Sequence, residues 1–192
     1  MMRAFSRTCL LAAACVAAMP GLTHAQEMIH AVTGTVAAIN SAAKTISVLV
    51  DNGPRTDFQL YTNGKARIAF DKRIEADSTA ADAFDKQGAY VIVFYYYGKG
   101  DSRTVVALKS LGAGPFSSTE GTVTKYDSHA HTLSVQDKSG KVQNFSIDPK
   151  TVAESTTGAL PGDHFRADKG DQVRIVSSTS GGNPTALFVR DL

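Results

Sequence analysis

The chain has 192 residues, with 20 Lys and Arg against 18 Asp and Glu, enough for one ordinary domain or two small ones. Its two cysteines, Cys9 and Cys15, both lie within the first 25 residues, so disulfides, zinc–thiolate sites and cysteine nucleophiles are excluded from everything that follows. Arg3 and Arg7 also belong to that stretch, which has no acidic residue; the remainder therefore carries 18 basic and 18 acidic residues, and nothing in its charge suits a nucleic-acid partner, which needs a basic surface to replace counterions.

In chain order, the first predicted element is a signal peptide at residues 1–25. Arg3 and Arg7 supply the positive start, Cys9 to Met19 an unbroken apolar run, and Pro20-Gly21 a break. Thr23-His24-Ala25 places small residues at −3 and −1 before Gln26. The apolar run is about half the roughly 20 residues that span a bilayer, and no later stretch is long enough, so no membrane span is expected. Cys15 is a poor lipidation site, because Ala12 stands where such signals carry leucine. The expected product starts at Gln26, is periplasmic or secreted, and is held by its core without disulfides.

The mature part repeats itself. Shifted by 87 residues, positions 34–60 match 121–147 without a gap at 10 of 27 places, among them Gly34-Thr35-Val36 on Gly121-Thr122-Val123, Thr45 on Thr132, Ser47-Val48 on Ser134-Val135 and Phe58 on Phe145. With small gaps, Gly88–Val93 resembles Gly170–Ile175, and Ala107-Leu108 resembles Ala186-Leu187. Gly112-Ala113-Gly114-Pro115 reads as the linker. The expected organisation is a first repeat at 26–111, a linker at 112–118 and a second repeat at 119–192.

Each repeat reads as five strands. In the first, the strand at Gly34-Thr35-Val36 is followed by Thr45–Val50, Asp57–Tyr61, Tyr90–Tyr97 and Arg103–Leu111. Within its long insert, Gly64 to Gln87, a short helix is expected over Ala76–Lys86, rich in alanine and capped by Asp77 or Ser78. In the second repeat the strands are Thr122–Tyr126, Thr132–Gln136, Val142–Ile147, Asp171–Ser177 and Thr185–Val189. Val142 and Phe145 share a face only if a small bulge intervenes. Pro161 and two glycines argue against a full helix between Pro149 and Lys169. Five strands with the long connection between the third and fourth make an all-β chain with a short helical insert: two tandem five-stranded OB-like Greek-key barrels.

The pattern Gly121-Thr122-Val123, Thr132–Val135, Phe145 and Lys169–Ile175 resembles a family of short OB-like repeats in exported bacterial proteins. Copy one departs at Ala89, where that family carries an acidic residue. The family has no assigned function, so the resemblance implies a fold and a compartment and no chemistry.

Few residues stand out for chemistry. His129 and His131 form a His-x-His pair on the first hairpin of copy two, where copy one has Ala42 and Lys44; a transition metal such as copper or nickel can take two such imidazoles, and the plainer reading is two solvated turn residues. Tyr90–Tyr97 is apolar on both faces, Tyr90, Ile92, Phe94 and Tyr96 on one and Val91, Val93, Tyr95 and Tyr97 on the other. A barrel strand needs only one apolar face. The second is covered by the other copy or the insert, or else Tyr95 and Tyr97 bind a ligand. Lys99-Gly100-Asp101 and Lys169-Gly170-Asp171 are turn sequences. No nucleophile elbow, zinc-protease or phosphate-loop pattern occurs, and no cofactor is implied. The expected function is a non-enzymatic binding or assembly module whose partner is a protein, peptide or glycan of the cell envelope. A metal-binding protein using His129 and His131, and an enzyme of an unrecognised class, are the alternatives.

Overall fold

The structure, a computed structural model, describes residues 27–61, 68–179 and 184–192. The predicted signal peptide lies outside the described residues.

Barrel one is built from β1 (His30–Asn40), β2 (Thr45–Val50), β3 (Arg55–Leu60), β4 (Tyr90–Tyr97) and β5 (Arg103–Ser110). Their order is β3-β2-β1-β4-β5, and parallel pairing of Gln59-Leu60 with Thr104-Val105 closes the ring. Barrel two repeats this with β6 (Phe116–Asp127), β7 (Thr132–Asp137), β8 (Val142–Ser146), β11 (Gln172–Ser178) and β12 (Thr185–Asp191), closed where Ser146 meets Thr185. Between β8 and β11 a hairpin of β9 (Val152–Ser155) and β10 (Gly158–Pro161) extends the sheet beyond β12. The two tandem five-stranded OB-like barrels read from the repeat are therefore present, in the same strand order.

The matched residues are those that the bend requires. A Cβ on Gly34 would lie 2.3 Å from the Leu49 carbonyl oxygen, and one on Gly121 2.1 Å from that of Gln136; each glycine lets the next strand cross its backbone. Just beyond, Ala37 in β1 and Thr124 in β6 are left unpaired in the ladder, one bulge at the same place in each copy, which bends the strand into the ring. The first hairpin is also conserved between copies. Asn40 Oδ1 accepts from Ala43 N, and Asp127 Oδ1 from Ala130 N, both at 2.9 Å. The turn then ends in a left-handed residue, Lys44 or His131. The Gly-Asp of Lys169-Gly170-Asp171 pins β11 to β6 through Gly170 N to Val123 O and Val123 N to Asp171 O, as Gly88 and Ala89 do with Val36 in copy one.

One expectation needs correction. The helix is α1 (Lys72–Ala76), capped by Asp71 and ending where Ala76–Lys86 was expected to begin. The alanine-rich stretch instead lays Thr79-Ala80 against β5 and turns Ala81 and Phe84 into the barrel-one core, so tertiary pairing overrides helix propensity. β8 has no bulge: its register with β7 is regular, Val142 faces solvent and Phe145 the core. β6 begins at Phe116, so residues 111–115 connect the two barrels.

Two apolar clusters fill the barrels, and a third joins them. Val91, Val93 and Tyr95 of β4 belong to the first. Ile92 and Phe94 face the other way, into the third, with Ile29, Ala31, Ile74, Val152, Val176 and Phe188. The second apolar face of β4 is thus covered by barrel two, by α1 and by the segment before β1.

Candidate functional site

Tyr95 and Tyr97 are adjacent but unequal. Tyr95 is 5% exposed, its ring edge-on to Phe58 at 5.3 Å inside barrel one. Tyr97, 43% exposed, stands at the barrel mouth, with the Arg103 guanidinium 5.9 Å over its ring. Their hydroxyls are 3.4 Å apart. Burial, and then Tyr97, push the Tyr95 hydroxyl above its ordinary value. The face carrying Tyr90, Ile92, Phe94 and Tyr96 is the opposite one, toward barrel two; Tyr95 is buried and offers no ring face to a ligand, and of this pair only Tyr97 reaches solvent.

Beside these tyrosines lies a cluster that sequence reasoning missed. The His30 ring stands 5.2 Å from Tyr97 and 5.8 Å from Tyr95, and its Nδ1 is 2.8 Å from Glu154 Oε1 of barrel two. Glu154 Oε2 accepts from Ala31 N at 2.8 Å. Burial raises the Glu154 carboxyl above its usual range, against the opposing pull of His30 and the Ala31 amide. Both oxygens of Glu154 are thus engaged in holding the start of β1 against β9.

His129 and His131 are exposed residues of the β6–β7 turn. His131 takes the left-handed position, with φ 50°, which histidine tolerates better than most residues. Among the described residues no group of three or more His, Cys, Asp or Glu side chains is gathered to hold a metal ion.

Two concave regions among the described residues exceed 300 Å³. One, about 520 Å³, lies under the insert of barrel one between Tyr61, Phe70, Glu75, Asp82 and Val106. The other is an open groove along the seam between the barrels. One part, about 310 Å³, is lined by Asp51, Asn52, Tyr90, Phe116, Ser117 and Ser118. The next, about 490 Å³, shares Asn52 and Ser118 and continues past Glu120 and Lys138 to Gln143. The turn after β2 flanks one side and its counterpart in barrel two, the turn after β7, the other.

Several polar groups of this groove are already held by hydrogen bonds within the protein. Asp51 Oδ2 accepts from the Tyr90 hydroxyl and, at 2.7 Å, from Thr33 Oγ1. Burial first, and then Asp51, raise the Tyr90 hydroxyl above its ordinary value, so it remains a donor. Glu120 Oε1 accepts from Arg174 Nε at 2.7 Å and Nη2 at 2.6 Å, and from Asn52 Nδ2 at 3.0 Å. Lys138 Nζ stands 3.5 Å from its other oxygen. Arg174 holds the Glu120 carboxyl below the usual carboxylate range. Asn52 reaches across the seam because its backbone is left-handed, φ 53°. At the far end Tyr90 and Phe116 pack with centroids 5.0 Å apart.

No protein-family model matches this chain, and no curated protein matches it. The groove residues carried no sequence signal. Asn52 and Glu120 meet across 68 positions, and Phe116 sat in the stretch read as linker.

Proposed function

We propose that the protein is an exported, non-enzymatic binding module of the cell envelope whose working surface is the seam groove. The observation that carries this reading is the groove itself: an open channel between two docked barrels, with both copies contributing polar groups already oriented by their own hydrogen bonds. Junctions between domains are common ligand sites, and orientation before binding reduces the ordering cost of association. The charge order, apolar run and small residues of positions 1–25 support export, and N-terminal sequencing of the secreted protein should begin at Gln26. The binding reading is tested by incubating the mature protein with isolated cell-envelope polymer. Binding should be lost in Ser118→Ile, which puts a branched side chain at the residue shared by both parts of the groove. Retention of full binding by that variant sinks the reading.

A further inference from the structure

We infer that the occupant of the seam groove is an uncharged oligosaccharide chain; this rests on the groove being the binding surface. The first argument is hydrogen-bonding type. The groove presents carboxylates at Asp51, Glu120 and Asp137, amides at Asn52 and Gln143, and hydroxyls at Ser117, Ser118 and Ser139. A sugar hydroxyl both donates and accepts, so it can pair with every one of these groups. The second is charge. Two Arg174 nitrogens donate to one Glu120 oxygen, with Lys138 near the other; Asp51 is held by two hydroxyl donors, and Asp137 accepts from the Ser139 amide and hydroxyl and the Lys141 amide. Neither an anionic polymer nor a basic peptide would find an unpaired field here. The third is shape and surface: the channel is open, as a chain ligand needs, and Tyr90 with Phe116 supplies an apolar patch for the C–H face of a sugar ring. An extended peptide is the competing occupant, because β6 pairs with β7 only from Gly121 onward and leaves residues 116–120 unpaired on that side. Strand addition, however, draws specificity from pockets for alternate side chains, and the lining beyond Phe116 is polar.

The test is a titration of the isotope-labelled mature chain, followed by amide chemical shifts, with N-acetylglucosamine, glucose β1,4 and glucose α1,4 trisaccharides and with an uncharged extended hexapeptide. At least one trisaccharide should saturate shifts at Asn52, Ser117, Ser118 and Gln143, with an affinity unchanged between low and high salt. Asn52→Gly, which removes the amide and suits the positive φ, and Gln143→Ala should each weaken it about three- to tenfold. Ser118→Ile should abolish it while shifts elsewhere stay in place. Saturation by the peptide and by none of the sugars overturns the carbohydrate assignment and keeps the groove as a binding surface, and so does a steep salt dependence. No groove shift with any of them, together with undiminished binding of Ser118→Ile to envelope polymer, overturns both.

Discussion

Glu154 shows how much one side chain can decide. Its carboxylate is 7% exposed and satisfied by a histidine and an amide from a segment 124 positions away. A raised folded-state value means that the folded protein holds this proton more tightly than the unfolded chain. The favourable contribution of Glu154 is therefore complete below the ordinary carboxyl value of 4.5, and is lost as pH rises through the raised folded value. Glu154→Gln keeps an acceptor for Ala31 N and gives His30 a donor without a buried charge. The stability difference between this variant and the natural protein should shift in the variant's favour as pH rises from 4 to 7, measured by urea unfolding at each pH. Glu154→Ala strands the Ala31 amide and should cost about 1–3 kcal/mol. The glycines give a second expectation at this scale. Gly34→Ala and Gly121→Ala each push a Cβ against a backbone carbonyl that cannot move aside, and each should cost about 1–3 kcal/mol or more in the same assay. These glycines were legible in the sequence because one steric demand recurs in two copies. Glu154 was not, because nothing local marks a residue whose partners are brought to it by docking.

At the scale of elements, strand alternation carried the reading. The two-residue period of Thr45–Val50 and Thr132–Gln136 and the unbroken apolar run of β4 follow from which faces are buried, and burial is what periodicity records. The insert was misplaced for the converse reason: alanine content reports intrinsic propensity, whereas Thr79-Ala80 is held by pairing to β5, and the five-residue helix rests on the Asp71 cap and on Ile74 in the joint cluster. The alternation of β4 was seen, but not which face lies inside the barrel, since both are equally apolar. That assignment is directly testable. Val93 and Phe94 are both fully buried, one in the barrel and one in the joint, where Phe94 meets Phe70 at 5.2 Å. Phe94→Ala should cost about 3–5 kcal/mol and loosen protection of barrel-two amides around Val176 and Phe188 in hydrogen exchange. Val93→Ala should loosen barrel one alone.

For the whole molecule, the question is whether two copies of one unit behave as two domains or one. Apart from Glu154, the polar ties across the seam are modest. Arg73 Nη1 meets Asp163 Oδ2 at 2.8 Å, and Lys109 Nζ donates to Lys150 O at 2.8 Å, but the Arg73 pair is exposed, and exposed ion pairs contribute little. The apolar joint is different in kind. Ile29, Ile92, Phe94, Val152, Val176 and Phe188 are each 4% exposed or less, and each would face water if the barrels parted, at a cost of about 1.5–3 kcal/mol for a large side chain. The segment before β1 ties the two halves again. Its Ile29 carbonyl accepts from Ala159 N at 2.7 Å, and Gly158, at φ 95°, admits that carbonyl where a Cβ would stand 2.5 Å away. A joint of this strength should make the barrels unfold together, so calorimetry of the mature chain should give one transition with equal calorimetric and van't Hoff enthalpies. Removing residues 26–29 takes away the Ile29 contacts and the Ala159 hydrogen bond while leaving both barrel cores intact. That truncation, and Phe94→Ala independently, should split the single transition into two. A natural protein that already unfolds in two steps would show that the barrels are merely tethered, and a groove shared between them would then lose the fixed geometry on which its binding role depends.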